Sequence, residues 1–287
     1  MRPGCGRGLA PRHGLTVAIQ SVPIPSGAAE RWARAVPLRR SRRSYTAEAV
    51  PAHDLAALEE LGRSWAPWPG VRVVVLREAP PAVFVGILGA YGGISGAPSA
   101  LVFIGGPGAR GEAVGHLGEA FVLEAAARGL DTCWVGGLYS KHALESLVAL
   151  EGGERIHAIA ALGHAAEHTT VKERLLFGAA RAKHRRPAEE IAPGCGAWPE
   201  WARAAMEAVR LAPSAMNGQP WRFAMDGDAL DLTFAGADRP RTSKRVDCGI
   251  AMLHVEVAAA VAGVAGRWEI LDAPEVARFV YKPGATA

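Results

Sequence analysis

Apolar positions along the chain alternate between helical spacing and short continuous runs. Asp54–Trp65 places Leu55, Leu58, Leu61 and Trp65 on one face, and Glu112–Arg128 does the same with Val114, Leu117, Phe121 and Ala125 before Gly129 stops it. Pro199–Leu211 and Asp247–Gly263 predict two further helices, with Asp247 as N-cap of the second. Ala28–Val36 and Lys141–Leu150 predict shorter ones. Strands are expected at Val71–Leu76, Ala100–Gly105, Asp131–Val135, Ile156–Leu162, Trp221–Met225, Leu230–Phe234, Trp268–Leu271 and Arg278–Tyr281. Asp226-Gly227-Asp228 is a hairpin turn between two of them. Pro80–Gly96 is open between helix and loop, His164–Arg186 reads as a polar, basic connector, and Ala235–Val246 as a polar loop.

This order repeats. Gly115–Gly129 followed by Trp134 lies over Gly249–Gly263 followed by Trp268 without a gap, and Ala47–Val50 resembles Ala188–Ile191. The period is far too long for a solenoid. It predicts an α+β chain of antiparallel sheets flanked by helices, built as two related halves, 28–183 and 184–287, packed as an intramolecular pseudo-dimer. Met1–Gly27 carries Pro, Gly and three arginines and no compact apolar segment of a leader; it is expected to be a flexible extension outside the fold.

Composition changes little of this. At 287 residues, 49% hydrophobic and 21% charged, the chain is an ordinary globular one with a large core. A net charge of +4 suits either nucleic acid or a phosphate-bearing small molecule. No apolar run reaches the ~20 residues of a membrane span. Cys5, Cys133, Cys195 and Cys248 have no C-x-x-C or zinc spacing, so free thiols in a reducing cytoplasm are expected, with Cys133 in the core. The nine histidines form no triad or metal set.

Three segments carry candidate chemistry. In Arg39-Arg40-Ser41-Arg42-Arg43, extended backbone puts Arg39, Ser41 and Arg43 on one face, planar donors plus a hydroxyl suited to phosphate oxygens; the same run also reads as a solvated basic face. Lys183 and Arg185 form a second, weaker cluster. Asp131–Val135 runs into Gly136-Gly137, where backbone N–H groups could lie against a flat ligand. Leu211–Trp221 joins a helix to a strand through Pro213, Ser214, Asn217 and Gly218, with Pro220 pushing Gln219 towards extended backbone. It reads either as a ligand clamp or as an ordinary connecting loop. No G-x-G-x-x-G, P-loop or G-x-S-x-G occurs.

Together, RRSRRSY (Arg39–Tyr45), APSAMNGQPW (Ala212–Trp221), GLDTCWVGG (Gly129–Gly137), the D-x-G-I-A start at Asp247 and K-x-R-x-P (Lys183–Pro187) resemble the FMN-dependent nitroreductase family, and within it a single-chain branch whose fused tandem stands in for the usual dimer. The first half owns the arginine segment but has Trp65-Ala66-Pro67-Trp68-Pro69-Gly70 in place of the serine and asparagine; the second half is the reverse. The resemblance implies one FMN per chain. Arg39, Arg40, Ser41 and Arg43, assisted by Lys183 and Arg185, would hold its phosphate and ribityl end. Gly136 and Gly137 would lie near flavin N5 and O4, and Pro213, Ser214 and Asn217 would reach over from the other half. It further implies NAD(P)H as hydride donor and a small-molecule electron acceptor such as a nitroaromatic or quinone. The chain would be a cytoplasmic monomer, with neither nucleic acid nor membrane as partner and with no catalytic side chain of its own. Other flavin reactions, flavin storage or sensing without turnover, and nucleic-acid binding are the alternatives.

Overall fold

A computed structural model describes residues 15–84, 93–137, 139–167, 184–238 and 243–282. The first half runs α1 (Ala28–Ala35), α2 (Ala52–Ser64), β2 (Val71–Leu76), β3 (Ser99–Gly105), α3 (Gly111–Ala127), β4 (Asp131–Val135), α4 (Lys141–Glu145) and β5 (Arg155–Gly163). The second runs α5 (Ala188–Ile191), α6 (Glu200–Leu211), β6 (Trp221–Asp226), β7 (Ala229–Phe234), α7 (Lys244–Val261), β8 (Gly266–Leu271) and β9 (Ala277–Tyr281). One strand precedes both, β1 (Thr16–Ile19).

The strands form two antiparallel sheets whose orders match. The first is β2-β3-β5-β4; the second, read from its other edge, is β6-β7-β9-β8, with β1 added beyond β8. In each, a long helix connects the second strand to the third, and these helices, α3 and α7, pack on one another between the sheets. Their crossing is close because glycine lies at the contact on both sides. A Cβ on Gly115 would collide with the Val246 carbonyl, and a Cβ on Gly249 with the Glu112 carbonyl. The same sequence offset relates Gly115 to Gly249 and Glu112 to Val246, so the contact is reciprocal. Two buried histidine–carboxylate pairs cross the same interface, His116 Nε2–Glu256 Oε2 at 2.6 Å and His254 Nε2–Glu119 Oε1 at 3.1 Å. Removing apolar surface from water on both sides of this helix pair is what joins the halves, since one contiguous core runs from Trp32 and Leu58 through Phe121 and Leu253 to Trp268.

The sheets differ in their outer faces. β3 is buried along its whole length, because α4 and the turn Pro81–Phe84 cover the far side with a second core around Phe84, Ile104 and Leu144. That explains its continuous apolar run. β9 alternates buried and half-buried positions, as a strand with one open face does.

Three expectations need correction. The stretch 1–27 does not lie wholly outside the fold: Thr16–Ile19 pairs antiparallel with β8, Thr16 opposite Leu271 and Ile19 opposite Glu269, because that edge would otherwise leave its backbone groups unpaired. Asp247 is not the N-cap of α7. The helix starts at Lys244, where Ser243 Oγ accepts from the Arg245 N–H (3.2 Å) and Asp238 Oδ1 from the Lys244 N–H (2.7 Å). With those N–H groups satisfied, Asp247 faces inward. The expected helix Lys141–Leu150 ends at Glu145. The other expected helices and strands lie within two residues of expectation except at the start of α7. Within Pro80–Gly96, Pro81–Phe84 is a 3-10 turn; 85–92, like Cys5 and most of the connector 164–186, lies outside the described residues. Cys133, Cys195 and Cys248 are buried free thiols.

Candidate functional site

The loop after α6 is held in a costly conformation. Met216, Asn217 and Gln219 take φ of 55°, 53° and 46°, the left-handed region that costs a non-glycine residue ~1–2 kcal/mol. Gly218, the residue able to adopt it freely, has φ −68°. Gln219 is therefore not extended as its position before Pro220 suggests. Its own side chain overrides that preference: Nε2 donates to the His184 carbonyl (3.1 Å), Oε1 accepts from the Arg186 N–H (2.9 Å), and its backbone N–H donates to Ser214 Oγ (2.9 Å). Asp247, buried at the start of α7, fixes the other side of the turn by accepting from the Ala215 N–H at 3.0 Å. Burial pushes the Asp247 carboxyl up to about 7, against that hydrogen bond.

The loop thus grips the segment His184–Arg186 and aims Arg185. Arg185 Nη1 donates to the Ala212 carbonyl (2.8 Å) and to Asn217 Oδ1 (3.2 Å), while Asn217 Nδ2 donates to the His184 carbonyl (2.8 Å). From the first half, the arginine segment runs along the free edge of β4: Ser41 bridges Thr132, and the Arg42 N–H donates to the Thr132 carbonyl (3.0 Å). Arg39 is 6% exposed, its Nη1 donates to Ser41 Oγ at 3.3 Å, and its Nε is buried without a hydrogen-bond partner among the described residues.

Electrostatics shows that the two clusters meet. Burial, together with the neighbouring charges of Arg39 and Arg40, lowers the Arg185 pKa to about 10. Burial likewise lowers that of Arg39, opposed chiefly by Glu119. Glu119 is fully buried beneath them, accepting from Trp134 Nε1 (2.8 Å) and facing His254. Guanidinium groups from both halves thus share one region with a single buried carboxylate whose oxygens are already engaged. A buried donor without a partner beside like charges is the environment that an added anion relieves. A phosphate monoester fits it; a neutral ligand would leave the repulsion in place.

The other expected residues fall as follows. Arg40 is exposed, its Nη1 turned to the Pro37 and Arg39 carbonyls (2.7 and 2.9 Å). Arg43 is half-buried and its carbonyl accepts from the Ser95 N–H. Pro213 is buried, and Ser214 spends its hydroxyl on the loop. Gly136 and Gly137 are exposed at the end of β4, and a Cβ on Gly136 would meet nothing; no contact ties them to the arginines. Lys183 lies outside the described residues. Glu119, Gln219 and the inward turn of Asp247 were not expected; the first shares one helix face with Glu112 and His116 at i, i+4 and i+7, a polar spacing that could have found it. Two surface cavities of about 520 and 530 Å³ lie elsewhere, one between residues 20–24 and β8, the other among α1, α6 and α7. Among the described residues no group of three or more His, Cys, Asp or Glu could hold a metal ion, and no helix is long and apolar enough to cross a membrane.

Known proteins bear on this geometry. A putative nitroreductase from Thermotoga maritima superposes with a TM-score of 0.57 at 17% identity, covering 98% of this chain and 100% of that one, a likeness of fold. An FMN-dependent nitroreductase from Clostridium difficile R20291 (TM-score 0.40, 18% identity) covers 47% of this chain and 88% of its own. A nitroreductase with bound FMN from Bacteroides fragilis (0.39, 19%) covers 51% and 92%. No curated protein matches the chain in sequence. The family described as "Putative TM nitroreductase" matches residues 32–259, most of the chain and both halves of the site, and the chain belongs to that family.

Proposed function

We propose that this chain is an FMN-dependent oxidoreductase that passes hydride from NAD(P)H to a small acceptor such as a nitroaromatic or quinone. The observation that supports it best is the junction of Arg39 and Arg185, a buried unpartnered donor and a guanidinium from opposite halves close enough for their charges to oppose one another. Arg39, Ser41 and Arg185 would hold the phosphate, with Arg40, Arg43 and Lys183 adding positive charge. FMN, when bound, supplies the two-electron chemistry between donor and acceptor.

The chain's own groups bind and orient. Asn217 fixes Arg185, Gln219 holds Asn217 and Asp247 holds the turn at Ala215, so the guanidinium is set before a ligand arrives and little freedom is lost on binding. Gly136 and Gly137, free of side chains at the end of β4, leave backbone N–H groups open to a planar ring. Arg43 would place positive charge near the ring's N1 side. No side chain of the site is asked to carry a proton. The matching strand orders and the reciprocal glycine contact support reading the two halves as a pseudo-dimer, and hence a monomer with a single such site. Purified protein tests the reading. Yellow protein, or uptake of added FMN, with bleaching by NADH or NADPH and recovery on adding a quinone is expected; colourless protein that takes up no FMN would sink it.

A further inference from the structure

The matching sheets define where a second site would lie: at the edge of β8, between the second half's sheet and the loop Trp65–Gly70, which occupies the place of Ala212–Pro220 between helix and strand. We propose that the segment Leu15–Ile24 fills that position and limits each chain to one phosphate-bearing ligand. This rests on the FMN reading above and adds to it the fate of the second position.

Three independent observations carry it. First, the segment lies on the equivalent edge. Where Ser41 and Arg42 border β4, β1 borders β8, and the pairing continues past it as the Gln20 N–H donates to the Trp268 carbonyl (2.9 Å) and the Trp268 N–H to Gln20 Oε1 (3.1 Å). Second, it is fastened across to the equivalent loop. The Ser21 N–H and Oγ donate to the Pro67 carbonyl (2.9 and 3.0 Å), and Trp65 Nε1 donates to the Pro23 carbonyl (2.8 Å). The strap therefore joins the counterparts, one from each half, of the two elements that the Arg39–Arg185 junction joins on the other side. Third, its chemistry is wrong for phosphate. Leu15–Ile24 contains no lysine or arginine. Beneath it lies Glu256, whose oxygens accept from Gln20 Nε2 (2.7 Å) and face His116 Nε2 (2.6 Å). Trp65 and Trp68 pack on the His116 ring at 5.9 and 5.5 Å, bulky apolar side chains where the other loop has Ser214 and Asn217. The cavity of about 520 Å³ that remains is lined by Glu256 and one arginine, Arg267, which is paired with Glu269 at 3.1 Å. Each edge has a buried carboxylate in a histidine pair, Glu119 and Glu256, but only beside Glu119 do arginines supply the positive charge that a phosphate needs.

The test uses the full wild-type chain, titrated with FMN by calorimetry or absorbance, with hydrogen exchange followed at saturation. One equivalent per chain is expected, with slowed exchange at 39–43 and 212–219 and no change at 16–24. A second equivalent, or faster exchange at 16–24 as ligand displaces the strap, would overturn this inference while leaving the FMN reading intact. Absence of any FMN binding would overturn both.

Discussion

Two sheet edges, alike in topology, have gone separate ways. Beside β4 the chain lays down arginines, one of them buried with a donor unspent; beside β8 it lays down an uncharged strand that pairs its backbone with the sheet. The first edge is left with charge that an incoming anion would neutralise. The second is complete as it stands. Matching edges of the two sheets thus differ in use: one keeps strain and unbalanced charge, the other is covered by a strand whose backbone is paired while most of its side chains face solvent.

Variants at paired positions can break or sharpen that contrast. Trp68→Ala, on the filled side, should cost about 3–5 kcal/mol in chemical denaturation with FMN affinity unchanged; a loss of affinity would mean that the filled side still serves the ligand. Asp247 has Ala113 as its counterpart, so only one half titrates here. Its folded carboxyl releases its proton near 7 and the unfolded one near the ordinary value, 3.8, so ionisation destabilises the fold progressively between about pH 4 and 7. Asp247→Asn keeps the acceptor for Ala215 and should flatten the stability profile in that window, gaining at most ~4 kcal/mol relative to wild type above pH 7. A profile unchanged by the substitution would refute the assignment.

On the open side, Arg39→Ala should weaken FMN binding by about 1.5–3 kcal/mol, tenfold to a hundredfold in Kd, and Arg185→Ala comparably. Loss from one and not the other would separate the halves of the site. Gly115→Ala and Gly249→Ala each drive a methyl into the partner helix's backbone and should each cost about 1–3 kcal/mol in Tm or denaturant midpoint, despite alanine's better helix propensity. Unequal costs would show that the crossing is not as reciprocal as its geometry. Asn217→Ala, which loosens Arg185 without removing it, should have the smallest effect, ~1 kcal/mol in FMN affinity.

What was legible in the sequence follows from what each segment depends on. Val71–Leu76 and Asp131–Val135 were found to the residue because their apolar runs and flanking glycines act locally. β1 was not, since four residues among prolines and glycines become a strand only by adding to β8, some 250 residues away in the chain. Arg39–Ser41 and Asn217 were recognisable by type, and the structure brings their segments to one region through Arg185. Arg185 was expected only to assist, because a basic run looks solvated until a partner loop is known. The Pro220 rule misjudged Gln219 for a related reason: a backbone preference of ~1–2 kcal/mol yields to the three hydrogen bonds that its buried side-chain amide makes, two donated and one accepted. Asp247 looked like a cap because nothing nearby revealed that Ser243 would take that place.

The strap also has a consequence for how the chain comes together. Thr16–Ile19 leaves the ribosome long before β8 exists, and its hydrogen-bonding edge has no local partner, so the second sheet can be finished only when its earliest-made strand returns to its nearly last-made one. A chain released part-way would carry a complete first sheet and an orphaned strand ahead of it. Closure of the ring is therefore a late checkpoint on synthesis: the two halves are locked to each other by a segment that neither half can place without the whole chain.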